Sequence, residues 1–168
     1  MNKWYNYYKN KINNHKMEQK FVKKYSPFIN YIKNNIKNKK SCLEIGCGTS
    51  LITKKIYKQG IDFHTYDNNS KMLQLTKLNI RKTATKIHNI KSPLHKQFDV
   101  VYSHGVLEHF SKSDIKKIIK IQKKYAKHLI HYVPSNHYKY QSFGDELLIS
   151  KQEWKKLCKP DKIISFNK

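Results

Sequence analysis

The sequence predicts an α/β fold in which helices cover both faces of a doubly wound, mostly parallel sheet. Short apolar segments rich in β-branched residues alternate with segments whose apolar residues recur at helical spacing. The first apolar segment, at 41–45, ends just beyond an acidic residue and runs into the glycine-rich turn GCGTS at 46–50. When a strand is followed by such a turn and then a helix, the backbone of the turn can approach a nucleotide-like ligand closely enough to bind it.

A second acidic residue supports this interpretation of the turn. Asp67 directly follows the next predicted strand, at 62–66. A carboxylate in that position can accept two hydrogen bonds from a ribose diol. In the first unit, Glu44 lies near the strand end, Gly46 and Gly48 form the turn, and Ser50 is placed to cap the following helix.

The elements before residue 81 can be assigned in order. Ser26 as cap and Pro27 at the first helical position predict a helix, with an apolar face that continues to Ile36. Strand 41–45 is followed by a helix at about 50–58. Strand 62–66 is followed by a helix whose inward residues are Met72, Leu73, Thr76 and Ile80.

The second half of the chain continues the alternation. A weaker strand is predicted at 83–88, and the segment 98–103 is the most apolar strand candidate. Two capping patterns, Ser111-x-x-Asp114 and Ser150-x-x-Glu153, predict helix starts on either side of a strand at 129–133. A last strand is expected at 163–166, so the sheet would have about six strands.

Five sequence blocks carry a resemblance to a known family. They are LEIGCGTS (43–50), HTYD (64–67) with SKML (70–73), FDVVYSHGVLEHF (98–110), VPSN (133–136) and GDELLISKQEW (144–154). In this order the chain resembles, from about residue 40 to 157, a class I S-adenosylmethionine-dependent methyltransferase of the small-molecule kind often grouped as type 11. The resemblance implies a Rossmann-like domain at 39–168 whose usual C-terminal strand is short or missing, preceded by an N-terminal helical lid at 1–38.

The resemblance also assigns S-adenosylmethionine as the cofactor and places it on particular residues. The methionine part is assigned to Glu44, Gly46, Cys47 and Gly48, and the ribose to Asp67 with Asn68. The adenine is assigned to Asn89 and Ile90, and the reactive methyl to Ser103, His104 and Gly105. Two positions depart from the family pattern. Ser50 stands where a third glycine is usual, and Asn89 stands where an acidic residue is usual.

Candidates for acid–base chemistry and for substrate contact follow from the same blocks. His104 and His109 are candidate catalytic bases, because an imidazole suits proton removal from a hydroxyl or amine. The alternative for His109 is the packing and cofactor contact that its block serves in the family. The residues expected to contact substrate are Tyr8, Asn136, His137 and Tyr138, with Tyr140 and Phe143 in the same loop. The N-terminal aromatic residues form either a lid over the pocket or an ordinary amphipathic helix packed on the sheet. No histidine spacing suits a metal, so no metal site is expected.

Composition leaves the class of partner open. The net charge of +24 favours polyanion binding, whereas the lysines are spread along helices and Arg81 is the only arginine. The loop after the fifth strand lacks an Asn/Asp-Pro-Pro-aromatic signature, and no Pro-Cys dipeptide occurs. A small-molecule methyl acceptor is therefore favoured over RNA or another polyanion, and a non-catalytic cofactor-binding or assembly protein is a third hypothesis. Monomer and homo-oligomer are both compatible with the sequence.

The few acidic residues and the three cysteines also bear on the cofactor and on the location of the protein. Only eleven acidic residues occur, and Glu44, Asp67, Asp99 and Glu108 are among those inside the blocks, where negative charge suits a cationic cofactor. Three cysteines show no disulfide or zinc spacing, which favours a reducing, cytoplasmic location. No apolar run approaches the length of a membrane span.

Overall fold

A computed structural model describes residues 3–12, 14–138 and 144–166 of the chain. Five parallel strands form one sheet in the order β3-β2-β1-β4-β5. In chain order the described elements are α1 (Lys3–Tyr8), α2 (His15–Ile36), β1 (Ser41–Ile45), α3 (Leu51–Ile56), β2 (Asp62–Asp67), α4 (Ser70–Asn79), β3 (Ala84–Ile87), β4 (Phe98–His104), a 3-10 turn (Leu107–His109), α5 (Lys112–Gln122), β5 (Ala126–Tyr132) and α6 (Lys151–Cys158).

Two apolar layers cover the two faces of the sheet. Cys42 of β1 packs in one layer, with Ile32 of α2 and Ile52 of α3. Leu43, the next residue along the same strand, packs in the other layer with Ile118 of α5. Successive side chains of a strand point to opposite faces, so the largely apolar β1 and β4 are buried on both sides. The predicted α/β, doubly wound parallel fold is confirmed.

The strand order determines where a ligand site can form. The chain winds outward from β1 through β2 to β3, and then crosses over to β4 and β5 on the other side of β1. The carboxyl ends of β1 and β4 therefore lie side by side with their following loops turned apart, which is the usual position of the ligand crevice in open α/β sheets. In register, Glu44 of β1 pairs with Thr65 of β2 and Tyr102 of β4.

The start of the second helix differs from the prediction. We expected a helix that begins at Pro27 with Ser26 as its cap, but α2 begins at His15 and contains Pro27 in its interior. The Asn14 side chain caps it by accepting the Met17 N–H at 3.1 Å. Proline lacks the N–H that would bond the carbonyl four residues earlier. The Ser26 hydroxyl donates to that carbonyl, on Lys23, at 3.0 Å, so the helix continues through the proline.

The C-terminal segment also differs from the prediction. Residues 163–166, expected to form a sixth strand, have irregular backbone in the described part of the chain. Their apolar side chains serve packing instead, since Ile163 contacts the layer beneath α5 and α6. The Phe166 ring stacks near Tyr132, with ring centroids 6.3 Å apart. Both predicted capping patterns are present, because Ser111 and Ser150 accept the backbone N–H groups of Asp114 and Glu153.

Candidate active site

A cavity of about 850 Å³ lies at the carboxyl ends of β1, β2 and β4. Its floor is the glycine turn after β1, and its cover comes from α1 and α2, which contribute Trp4, Tyr8, Phe21 and Tyr25. Sites for small molecules typically enclose roughly 300–1,000 Å³. The cavity is therefore large enough for a nucleoside-sized ligand together with a small second molecule.

The turn after β1 must be glycine-rich for two reasons. Gly46 has a φ of +65°, and a Cβ atom there would lie 2.8 and 2.9 Å from the two γ carbons of Val106. Val106 follows β4, so the close approach of the two strand ends depends on the missing side chain. Ser50 occupies the N-cap position of α3 with a φ of +54°, but its hydroxyl makes no capping hydrogen bond. The predicted cap is thus wrong, because the left-handed backbone turns that side chain away from the helix start.

Glu44 is a buried carboxyl group in the wall of the cavity. Its residue is 3% exposed, and it accepts a hydrogen bond from the Thr53 hydroxyl. The Thr53 oxygen lies 2.7 Å from the hydroxyl of Tyr102. The hydroxyl groups of Tyr102 and Thr53 and the carboxyl of Glu44 therefore form one hydrogen-bonded chain. Burial raises the pKa of Glu44 to about 7, against the effect of the Thr53 hydrogen bond.

Asp67 joins two turns at the edge of the cavity. One carboxylate oxygen accepts the Gly48 N–H at 2.9 Å, and the other accepts the Asn69 N–H at 2.9 Å. Burial raises the pKa of Asp67, while these backbone hydrogen bonds lower it. Each oxygen keeps a second lone pair, so the carboxylate can still accept from a ligand. Asn68 lies beside it, exposed and in the cavity lining.

The cavity wall after β3 includes His88, which was not predicted as a site residue. Ile90 is buried and lines the cavity, whereas Asn89 is exposed and lies outside the lining, its side-chain oxygen accepting the Lys91 N–H at 3.0 Å. His88 lines the cavity instead. Its Nε2 atom has no hydrogen-bond partner among the described residues, and burial lowers its pKa. Its place directly after β3, as Asp67 ends β2, was the available signal.

The end of β4 separates three residues that were predicted together. Ser103 is fully buried outside the lining, with its hydroxyl 2.8 Å from His131 Nδ1. His104 and Gly105 line the cavity. The His104 ring stacks on Tyr132, with centroids 4.8 Å apart, and meets Tyr25 edge-on at 4.2 Å. Burial and the nearby Lys24 charge lower the pKa of His104 to about 4.

His109 and a neighbouring carboxyl form a second polar wall. His109 Nδ1 lies 3.0 Å from Asp145 Oδ1, and the ring meets Trp4 edge-on at 5.4 Å. Glu108 lines the same wall and is 5% exposed. Burial, with the nearby charges of Glu146 and Asp145, raises its pKa to about 8. Glu108 is one of the few acidic residues inside the sequence blocks, but no role in the site was predicted for it.

The residues predicted to contact substrate are divided by the structure. Tyr8 and Tyr138 line the cavity; burial raises the pKa of Tyr8 to about 12, and the Tyr138 hydroxyl accepts from Lys24 at 3.3 Å. Asn136 and His137 are exposed and lie outside the lining. The Asn136 N–H donates to the Ile149 carbonyl at 3.1 Å, so it holds the loop. Tyr140 and Phe143 lie outside the described residues.

The cofactor that the resemblance implies fits this donor set. S-adenosylmethionine presents an ammonium, a carboxylate, a ribose diol and an adenine ring. Buried carboxyl groups at Glu44 and Asp67 suit the ammonium and the diol. Among the described residues, His88 Nε2 and His104 Nε2 are buried atoms of the lining without hydrogen-bond partners. Buried polar atoms without partners are costly, so their position in the lining indicates a polar ligand.

Comparisons with known proteins agree with this geometry. Residues 14–167 match a family model described as a methyltransferase domain. A ubiquinone biosynthesis O-methyltransferase of Pelagibacter ubique (strain HTCC1062) is 28% identical over 167 residues, which covers 83% of this chain and 69% of that protein.

Two solved structures are similar in fold. An S-adenosylmethionine-dependent methyltransferase from Clostridium acetobutylicum ATCC 824 has a TM-score of 0.64 at 15% identity, covering 94% of this chain and 85% of its own. Magnesium protoporphyrin IX methyltransferase from Synechocystis PCC 6803 has a TM-score of 0.64 at 12% identity, covering 82% and 70%. At these identities the similarity concerns the fold, and it agrees with the predicted fold class.

Proposed function

Because the chain belongs to the methyltransferase-domain family, we propose that it is an enzyme that transfers a methyl group from S-adenosylmethionine to a small-molecule acceptor. The observation that carries the proposal is the meeting of the glycine turn with the buried carboxyls of Glu44 and Asp67 in one cavity. The acceptor atom is oxygen, nitrogen or carbon. Oxygen is the first class to test, because the Pelagibacter relative is named an O-methyltransferase.

The cofactor residues are proposed from their positions in the lining. S-adenosylmethionine, when bound, supplies a methyl group on a sulfonium that is a good leaving group. Glu44 would pair with the ammonium, and the turn of Gly46, Cys47 and Gly48 would lie against the methionine part. The N–H groups of Cys47 and Gly48 bond the Tyr66 carbonyl and Asp67, so they hold the turn in shape. Asp67, with Asn68 beside it, would accept from the ribose hydroxyls. Ile90 and His88 would flank the adenine, with Asn89 shaping the turn behind them.

The protein's contribution to the reaction is mainly alignment, exclusion of water and proton removal. Gly105 leaves room for the reacting groups, and the aromatic rings around His104 keep that side of the cavity dry. The lowered pKa of His104 keeps its imidazole neutral at neutral pH, so Nε2 can accept a hydrogen bond from the acceptor. His109, oriented by Asp145, is the stronger candidate for accepting a proton.

The N-terminal segment, residues 1–38, is proposed to act as the lid, with α1 as its moving part. Four residues of α2 are buried in the core, and Glu18 of α2 forms ion pairs with Lys54 and Lys55 of α3 at 2.8 and 2.6 Å. α2 is therefore held against the sheet. No residue of α1 is fully buried, and the helix carries the half-buried Trp4 and Tyr8 over the cavity. Movement of α1 would admit the acceptor and then exclude water.

Enclosure of the cavity favours a small acceptor over a polyanion. Trp4, Tyr8 and Tyr138 line the same cavity as His104 and Gly105, and their rings would leave little room for a nucleic-acid backbone. None of the described helices combines the length and apolar composition that crossing a membrane requires. The three cysteines are free thiols, which supports a cytoplasmic location.

A labelling experiment tests the proposal. Purified protein is incubated with S-adenosylmethionine carrying an isotopically labelled methyl group and with separated small-molecule and RNA fractions of a cell extract. Mass spectrometry is expected to find label in the small-molecule fraction. Label in RNA alone would support the polyanion hypothesis, and cofactor binding without label in either fraction would support a non-catalytic protein.

Cofactor affinity is expected to depend on pH through Glu44. Below about pH 7 the carboxyl is protonated in the free protein, so pairing with an ammonium requires loss of that proton. Affinity should therefore fall, approaching tenfold per pH unit, as the pH drops below about 7. Calorimetric titration with S-adenosylhomocysteine, which keeps the ammonium, measures this. The Glu44→Gln variant should bind weakly with little change over the same range; an unchanged slope in that variant would contradict the assignment.

A further inference from the structure

A cluster of potential metal ligands lies on the wall of the cavity formed by the 3-10 turn and the segment after residue 143. His109, Asp145 and Glu146 each offer one donor atom, and these atoms lie within 4.8 Å of one another. The Leu147 N–H donates to the Glu108 carbonyl at 2.7 Å, which fixes the segment against the turn. Because the donors are far apart in sequence, histidine spacing could not indicate them, and no metal site was expected from the sequence.

We propose that His109, Asp145 and Glu146 bind a divalent transition-metal cation at the edge of the cavity, with Glu108 beside it. The distances suit one ion. Two ligands at right angles, each about 2.1 Å from a metal, lie about 3 Å apart, and opposite ligands lie about 4.2 Å apart. His109 Nδ1 and Asp145 Oδ1 are 3.0 Å apart. No separation in the cluster is larger than 4.8 Å, so a side-chain rotation is enough to bring all three donor atoms to one ion.

Glu108 is the independent observation that points to a ligand. It is more than nine-tenths buried, it lines the same cavity, and its Oε2 atom has no hydrogen-bond partner among the described residues. Its carboxyl group shares the cavity wall with those of Asp145 and Glu146, and holding three carboxyl groups together is unfavourable without a compensating cation.

The rarity of acidic residues in this chain supports the proposed cation site, and the ligand types select the class of ion. The chain has a net charge of +24 and only eleven acidic residues, yet Glu108, Asp145 and Glu146 lie together. An imidazole among carboxylates favours transition metals such as Mn²⁺ or Zn²⁺ over Mg²⁺ or Ca²⁺. A cation here would face the acceptor side of the cavity and could bind and acidify an acceptor oxygen. His109 would then be a ligand rather than a base.

Manganese titration of the protein alone tests the inference, without cofactor or acceptor, so its result is independent of the proposed methyl transfer. Calorimetry, with free Mn²⁺ counted by electron paramagnetic resonance, is expected to show one ion per chain. Asp145→Asn should weaken Mn²⁺ binding at least about tenfold. The Asp145 side chain is 61% exposed, so this variant should keep the thermal midpoint of the parent.

The matched control is Asp114→Asn, which removes a carboxylate paired with Lys91 on α5, outside the cluster. It should bind Mn²⁺ with the affinity of the parent. Failure of the folded parent protein to bind one ion per chain would overturn the inference. Equal binding by the parent and Asp145→Asn would also overturn it, and would identify His109–Asp145 as an ordinary hydrogen-bonded pair.

Discussion

Replacing Asp67 with asparagine is expected to weaken S-adenosylmethionine binding by about 10- to 100-fold. The ribose hydroxyls would lose a charged acceptor, and a hydrogen bond to a charged group is worth about 1.5–3 kcal/mol. Asparagine keeps the size of the side chain and one acceptor oxygen, so one of the backbone hydrogen bonds from Gly48 and Asn69 can persist. Calorimetric titration of parent and variant measures the difference.

Stability and affinity must be separated in this experiment, because Asp67 also joins the two turns. Loss of one backbone hydrogen bond should lower the free energy of unfolding by only about 1–3 kcal/mol. Asp114→Asn removes an equal charge from the surface and should bind cofactor as the parent does. A folded Asp67→Asn protein with unchanged affinity would remove Asp67 from the proposed ribose site and leave it a purely structural role.

The sheet was predictable because its signals are local. β1 and β4 are short, largely apolar segments buried on both faces, and periodicity with capping patterns was enough to find most helices. The start of α2 was missed because a Ser-Pro pair normally marks a helix start. Here the Ser26 hydroxyl replaces the hydrogen bond that Pro27 cannot make. That compensation depends on side-chain geometry that a sequence pattern does not specify.

The site residues were predictable where a motif fixes the backbone conformation. They were less predictable where the direction of a side chain decides whether it reaches the cavity. Gly46 and Gly48 lie in the turn after β1, Asp67 ends β2, and the turn meets Asp67 as expected. Ser103 and His104 are adjacent in β4, so they point to opposite faces and only His104 reaches the cavity. Asn89 turns outward to bond the Lys91 N–H, which leaves His88 in the lining. Asp145 reaches His109 through tertiary contact alone.

Replacing Gly46 with alanine is expected to lower the free energy of unfolding by about 2–5 kcal/mol. The left-handed backbone accounts for about 1–2 kcal/mol of this in a residue with a Cβ atom. The collision with Val106, at 2.8 and 2.9 Å, adds about 1–3 kcal/mol, because the strand ends must move apart. The same displacement should widen the cofactor cradle, so cofactor binding should be lost even at temperatures where the variant stays folded. Denaturant unfolding and calorimetry measure the two effects.

Two further variants separate the backbone strain from the collision. Gly60 has a φ of +90° with no atom within 4 Å of a Cβ position, so Gly60→Ala should show the strain alone. Val106→Ala removes both γ carbons and leaves the Val106 Cβ atom at 3.4 Å from the added methyl. In a double-mutant cycle it should therefore recover the part of the Gly46→Ala loss that is due to the collision. Equal losses for Gly46→Ala and Gly60→Ala, with no coupling to Val106, would show that the contact between the ends of β1 and β4 does not require glycine.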